Sequence, residues 1–161
     1  MEIKGSCHCG SVRFIVDAQE PAPFLRCYCS ICRKTAGSGG YGINLGARTA
    51  SLSVEGEEHI RYYNPTTGET GNSALGETGR RFCGHCGSPL WNYDSRWPDI
   101  VHPHAGAIDT DLPMPPEHTH MMLASRANWV QPDIRSGDKQ FDAYPDESLA
   151  KWHQRVGLKQ E

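Results

Sequence analysis

The chain has 161 residues, with 16 Lys and Arg against 19 Asp and Glu, eight His, and a formal net charge of −3 at neutral pH. That balance leaves out the basic footprint of nucleic-acid binding, and there is neither a polybasic run for a membrane surface nor an apolar stretch near the roughly 18 residues a membrane span needs. Leu, Ile, Val and Phe number only 27, about one residue in six, which is thin for a packed core, while the small net charge argues against disorder.

The length predicts one domain spanning 1–161. Met1 to Ser6 has no apolar segment of the kind a secretory signal carries, so a reducing, cytoplasmic compartment is expected. Along the chain, Val12, Phe14 and Val16 alternate as one face of a strand. Glu20-Pro21-Ala22-Pro23 breaks it. After Gly37-Ser38-Gly39-Gly40, the alternation of Tyr41, Ile43 and Leu45 predicts a second strand. Leu52 with Val54, and Ile60 with Tyr62, predict two more. Asn64 to Gly79 is polar and glycine-bearing, as in a long hairpin or surface loop. Leu90-Trp91 is expected to leave a cysteine turn as a strand. Trp97 to Pro116 holds five prolines and little regular pattern. His118, His120 and Met122 alternate with Thr119, Met121 and Leu123, again a strand. Asp146 to Val156 predicts a helix, with Leu149, Trp152 and Val156 on one face and Gly157 as its stop. Many short strands between glycine and proline turns make the chain mainly β, with a short C-terminal helix.

A chain short of aliphatic core is often held by metal or disulfides, and seven cysteines are available. They fall into Cys7-His8-Cys9-Gly10, Cys27-Tyr28-Cys29-Ser30-Ile31-Cys32, and Cys83-Gly84-His85-Cys86-Gly87. Zn²⁺ takes thiolates at about 2.3 Å in a tetrahedron, so neighbouring sulfurs must approach within roughly 4 Å. Cys83 and Cys86 form a knuckle that needs two more ligands, and Cys7 and Cys9 are the complementary pair. Joined, they close a four-cysteine site of structural type. Cys27, Cys29 and Cys32 then make a three-ligand set with one position open to water, substrate or partner. Three alternatives stand beside this division: a redox pair at Cys29 and Cys32, a second site closed by His118 or His120, and a zinc ribbon joining Cys83 and Cys86 to Cys29 and Cys32.

The ordered set Cys7-x-Cys9-Gly10, Cys27-x-Cys29-Ser30-x-Cys32-Arg33-Lys34 and Phe82-Cys83-Gly84-x-Cys86-Gly87-Ser88 resembles the glutathione-dependent formaldehyde-activating enzyme (GFA) family, which also contains centromere protein V. Ala105-Gly106-Ala107-Ile108-Asp109 and His118 to Trp129 add weaker matches. The resemblance spans about residues 5–130, leaving about 131–161 as a C-terminal extension. It implies a mainly β, tent-like fold with two zinc ions, one shared by the first and third cysteine groups and one with an exchangeable position on the middle group. It implies a zinc-dependent carbon–sulfur lyase-type activity on an adduct of glutathione, or another small-molecule thiol, with formaldehyde. The runner-up is a non-catalytic thiol or zinc carrier, or a zinc-stabilised interaction module. Tyr28 departs from the family pattern, where histidine is common at that place.

Four thiolates give zinc a formal −2 and three give −1, so the middle ion is the better electrophile. Cys27, Cys29 and Cys32 are therefore expected to carry the chemistry, and Arg33 and Lys34, directly after the last ligand, to attract a carboxylate of the thiol. His8 and His85 read as spacers facing away from the metal, His102 and His104 as surface residues, and His118 or His120 as a group approaching the open position. Trp91, Trp97 and Trp129 are expected to supply core and pocket-wall bulk.

Overall fold

Alternation in the first strand region dictates the inner layer: Phe14 and Val16 turn inward, Ile15 outward, and Val12 is buried just ahead of them. The computed structural model describes residues 1–18 and 24–156. Glu20-Pro21-Ala22-Pro23 and Gly157, expected as a breaker and a helix stop, lie outside the described residues. In chain order the elements are β1 (Glu2–Ser6), β2 (Arg13–Asp17), β3 (Leu25–Cys27), α1 (Ser30–Ala36), β4 (Gly42–Asn44), β5 (Ala47–Arg48), β6 (Ser53–Glu55) and β7 (Ile60–Tyr63). They continue with β8 (Thr70–Gly71), β9 (Gly79–Cys83), β10 (Pro89–Tyr93), β11 (Ile100–Pro103), β12 (Thr119–Met121), β13 (Lys139–Gln140) and α2 (Leu149–Val156).

The strands make three sheets. One has the order β1-β2-β6, the largest β5-β11-β10-β9-β7-β8, and the third β13-β12-β3-β4. The first two are antiparallel throughout; in the third, β13, β12 and β3 run parallel. Isolated bridges join Gly5 to Ile108 and Asn44 to His104. The main core gathers Ile3, Phe14, Val16, Ile60, Leu90, Trp91 and Val101. Trp91 meets Phe14 edge to face at 5.1 Å, and its indole N–H donates to the Ala74 carbonyl at 3.0 Å. One ring thus fills the space that several aliphatics would otherwise take. Phe24 against Trp152, and Tyr28 against Leu123 and Val130, form separate small clusters.

Several sequence expectations need correction. The proline-bearing region contains a full strand, β11, between β5 and β10; Pro103 is tolerated as its last residue, opposite Trp91, where the β9–β10 register slips. Trp97 and Trp129 are 64% and 60% exposed, so Trp91 and the Trp152 of α2 carry the aromatic core without them. His104 is buried and His102 half-buried, not surface residues. The second alternating segment turns Gly42 and Asn44 inward, because Asn44 has polar partners there. Helix α1 was not signalled by periodicity, being seven residues long. Residues beyond 130 also join the body: β13 pairs with β12, and Trp152 of α2 packs on Phe24. Among the described residues, no helix is long and apolar enough to cross a membrane.

Trp91→Phe removes the indole donor and strands the Ala74 carbonyl in the core. A loss of about 2 kcal/mol is expected, read as a fall in Tm of about 4 to 8 °C by calorimetry at neutral pH.

Candidate metal centres

The turn after β1 brings Cys7 and Cys9 together. Gly10 N donates to the Cys7 carbonyl at 3.0 Å, and Cys7 N to the Val12 carbonyl at 3.0 Å. The β9–β10 hairpin does the same for Cys83 and Cys86, with Gly87 N bonded to the Cys83 carbonyl at 2.8 Å. Gly10 (φ +77°) and Gly87 (φ +74°) take the left-handed conformation these tight turns require. The four sulfurs lie within 4.8 Å of one another. Cys7 to Cys9 is 3.5 Å and Cys9 to Cys83 is 3.8 Å, close to the roughly 3.8 Å edge of a tetrahedron with 2.3 Å metal–sulfur bonds. The Ser88 hydroxyl and backbone pull Cys86 down to about 5, while burial pushes Cys83 up to about 11. His8 and His85 are exposed, and His85 bonds the Ser11 hydroxyl.

The second group stands where β3 runs into α1. Cys27 ends the strand, Cys29 caps the helix by accepting from Cys32 N at 3.3 Å, and Cys32 lies in the first turn. These three sulfurs also lie within 4.8 Å of one another. So close together they cannot all ionise unaided: hydrogen bonds from Cys27 and Cys32 hold Cys29 down to about 2, and the same contacts push Cys27 up. A shared cation removes that conflict, so both donor sets suit a thiophilic metal. All seven cysteines are free thiols, and Cys83 and Cys86 group with Cys7 and Cys9 rather than with Cys29 and Cys32, which disposes of the zinc ribbon.

A polar wall that the sequence did not announce faces Cys32. Directly opposed residues of an antiparallel ladder share a face. Arg80 of β9 pairs with Asn92 of β10, and Asn92 with His102 of β11. This row reaches the thiols twice. Arg80 Nη1 donates to Cys32 Sγ at 3.5 Å, and Asn92 Nδ2 donates to Asn44 Oδ1 at 3.0 Å, whose own Nδ2 donates to Cys32 Sγ at 3.8 Å. His102 Nδ1 bonds the Leu45 carbonyl at 3.0 Å. His104, 3% exposed and bridged to Asn44, has no hydrogen-bond partner on either ring nitrogen among the described residues. Burial, then the charges of Arg80 and His102, hold its pKa down to about 3, so the ring is neutral.

His118 and His120 gather with Asp138. His118 Nδ1 and His120 Nε2 lie 3.4 and 3.3 Å from Asp138 Oδ2. The three ligand atoms sit close enough to hold an ion, but the surrounding donors oppose one. Arg26 Nη2 faces His118 Nε2 at 3.1 Å, which makes that nitrogen the acceptor and leaves the proton on Nδ1, toward Asp138. Asp138 also accepts from the backbone N–H groups of His118 and Arg135; these bonds outweigh its burial and hold its carboxyl well below the usual range. His120 donates from Nε2 to Asp138 and accepts at Nδ1 from the Tyr28 hydroxyl at 2.8 Å. Tyr28, pushed up to about 12 by burial, therefore stays a phenol. The chain Asp138–His120–Tyr28 ends on the residue between Cys27 and Cys29.

Arg33 is half-buried, and its Nε has no hydrogen-bond partner among the described residues; Lys34 is exposed. A cavity of about 520 Å³ opens among Leu123, Arg126, Asn128 and Val130. Met122, which precedes it, packs against the three-cysteine cluster and has a left-handed backbone (φ +60°).

The sequence profile of the family described as "Glutathione-dependent formaldehyde-activating enzyme" matches residues 2–125. A protein of Halomonas elongata named "Putative glutathione-dependent formaldehyde-activating enzyme" is 52% identical over 160 residues, 99% of both chains. A crystal structure of a Rhodobacter sphaeroides protein is similar over 86% of this chain and 98% of that one, with a TM-score of 0.50 and 23% identity, a likeness of fold. The chain belongs to the GFA family.

Strong chelation, or Cys83→Ser, should lower Tm by more than about 10 °C, since the four-sulfur group joins two sheets; Cys32→Ser should cost less. Calorimetry with metal analysis reads both. The unfolded His104 imidazole titrates near 6.5 and the folded one lower, so below pH 6.5 the unfolded state takes up a proton the folded state refuses. Stability is full above that pH and falls as pH drops toward 3. Between pH 7 and pH 5, His104→Gln should therefore lose about 2 kcal/mol less than the parent in denaturant titrations.

Proposed function

We propose that this member of the GFA family is a zinc-dependent carbon–sulfur lyase-type enzyme that joins, and in reverse separates, formaldehyde and a small-molecule thiol such as glutathione. The observation that carries the reading is the three-cysteine group, whose sulfurs lie within 4.8 Å of one another with neither a fourth sulfur nor a histidine in the set among the described residues. In this reading Cys7, Cys9, Cys83 and Cys86 hold a structural zinc, and Cys27, Cys29 and Cys32 hold the zinc that serves the chemistry. The soft, all-sulfur donor sets favour that metal. A zinc ion there would lower the pKa of an incoming thiol below its free value of about 8.5.

The chain's own residues supply the rest. Asn44 and Arg80 donate to Cys32, which fixes the direction of that sulfur. Tyr28, tied through His120 to Asp138, anchors the backbone between Cys27 and Cys29. Arg33, with its unpartnered Nε, and Lys34 attract the carboxylates of glutathione. The cavity bordered by Leu123 and Arg126 gives the peptide part of the thiol a place to lie, and Met122, the residue before Leu123, packs against the cysteine cluster. Seven free thiols suit a reducing, cytoplasmic compartment, and the whole chain, 1–161, acts as one domain.

Titration calorimetry of the zinc-loaded protein should show glutathione binding at millimolar ligand or below, weakened about tenfold in Arg33→Ala/Lys34→Ala. The loaded protein should accelerate adduct formation from glutathione and formaldehyde over the spontaneous rate, and Cys32→Ser should abolish the gain. Binding without acceleration identifies a thiol carrier, and no binding at all an interaction module.

A further inference from the structure

We propose that Arg80 holds the aldehyde oxygen while sulfur adds to the carbonyl carbon. The inference rests on reading the three-cysteine group as the place where thiol and aldehyde meet, and it assigns the electrophile that such a reaction needs. A tetrahedral zinc held by Cys27, Cys29 and Cys32 would, with a thiol bound, have no position left for a carbonyl oxygen. The positive charge for that oxygen must then come from the protein.

Four observations converge on Arg80. First, Nη1 lies 3.5 Å from Cys32 Sγ, which places the guanidinium at the edge of the three-sulfur group. Second, among the described residues that contact is its one hydrogen bond, and no carboxylate pairs with it. Arg96, Arg135 and Arg155 each have an acidic partner. A planar fork with five donors and one in use retains four for an incoming oxygen. Third, Arg80 is half-buried on β9, in a row that continues through Asn92 and His102, so its position is set by ladder register rather than by a mobile loop. Fourth, the same wall holds buried polar atoms without partners, Asn92 Oδ1 and both ring nitrogens of His104. An unpaired buried polar group calls for a partner, and a polar ligand received at this wall supplies one here; among the described residues Arg26, Arg33, Thr49, Arg81, His118 and Arg135 also carry such atoms. The neutral His104 ring and Asn92 Oδ1 offer a donor and acceptors for a hydroxyl, the group a hydroxymethyl adduct carries.

The step balances without a further reactant. The thiol releases its proton and its sulfur forms a bond to the aldehyde carbon. The carbonyl π pair moves to oxygen, where the guanidinium faces the developing charge, and the proton given up by the thiol returns to that oxygen. The sum is thiol plus aldehyde giving the S-hydroxymethyl adduct. Cleavage runs the same path backward, with Arg80 stabilising the same oxygen. This is oxyanion stabilisation by a preset cation in a partly desolvated wall.

The test compares Arg80→Gln, Arg80→Lys and Arg80→Ala with the parent in three measurements. Zinc content should stay at the parental level, and the glutathione Kd by calorimetry should move by less than about threefold. The kcat for adduct formation from glutathione and formaldehyde should fall by about 10² to 10³ in Arg80→Gln and Arg80→Ala, and less in Arg80→Lys. Guanidinium ion at millimolar concentration should restore part of the lost rate in Arg80→Ala, where methylammonium restores less. A kcat within about threefold of the parent in Arg80→Gln overturns the proposal. So does a Kd that rises in step with the loss of rate, which would make Arg80 a thiol-binding residue, or zinc loss in all three variants, which would make it a support for Cys32. A parent that binds glutathione but gives no acceleration overturns the proposed function itself, and this assignment with it.

Discussion

The structure depends on bringing sulfurs from distant parts of the chain to within the reach of one metal ion. Cys7 and Cys9 follow β1, and Cys83 and Cys86 flank the turn between β9 and β10. These belong to different sheets, so an ion on the four-sulfur group would fix one sheet against the other across more than 70 residues of chain. A metal ion held there would cross-link a long loop, which restricts the unfolded chain heavily, and its coordination bonds would stabilise the folded one. A thin aliphatic core becomes tolerable on those terms. Trp91, Phe14 and their neighbours have to fill only the space between sheets whose spacing is already set. Once β9 and β10 are held, their register fixes the next strand, and with it the face on which Arg80, Asn92 and His102 stand.

What the sequence made legible was what is local. The spacings Cys7-x-Cys9, Cys27-x-Cys29-x-x-Cys32 and Cys83-x-x-Cys86 are ligand geometry written into adjacent residues, and the division into four and three follows from counting. The strands with clean alternation were legible for the same reason: Val12 to Val16 lies where Phe14 and Val16 are buried. What failed was whatever depends on pairing between distant segments. Arg80, Asn92 and His102 form a row only after two ladders are in register, and nothing near any of them in sequence marks it. Pro103 concealed β11, because a proline argues against a strand interior and this one occupies its end. His104 looked like a loop histidine because the bridge that buries it comes from Asn44, 60 positions earlier. Trp97 and Trp129 were credited to the core on composition alone, and their large exposure shows the limit of that argument.

His118 and His120 teach a different lesson. Their alternation on a strand made them natural candidates for the open metal position, and the structure gives three of their four ring nitrogens hydrogen-bond partners, with His118 Nδ1 3.4 Å from Asp138 Oδ2. Asp138 sits between them, and Arg26 and Tyr28 take the remaining nitrogens. The proton inventory then matters more than proximity. Arg26 has donors only, so the nitrogen it faces must accept, and His118 directs its proton toward the carboxylate. A cation in that place would have to displace the proton and tolerate two nearby guanidiniums, Arg26 and Arg135. The cluster is better understood as a hydrogen-bonded strut built on an ionised carboxylate and two neutral imidazoles. It ties the segment beyond residue 130 to the loop bearing Cys27 and Cys29, which explains why a region that looked like an appendage supplies Asp138, β13 and Trp152 to the body.

The two sulfur groups differ in their surroundings, and that difference bears on the roles proposed for them. In the four-sulfur group Cys9 and Cys86 are exposed, and hydroxyls from Ser11 and Ser88 face them, so excess negative charge is shared with water and neutral donors. The three-sulfur group is more deeply set, with Cys27 and Cys32 buried. Its outward neighbours are an amide, Asn44, and a guanidinium, Arg80. Charge in such a setting is screened less by water, so a cation beside Cys32 has a greater effect there than it would at the exposed group. A three-thiolate ion carries one unit of negative charge, and an arriving thiolate would add a second in a place poorly solvated to accept it. Arg80 offsets that second charge at Cys32 while its remaining donors face the polar wall. In the proposed reaction the same residue would make an anionic fourth ligand tolerable and leave an electrophile next to the sulfur that reacts.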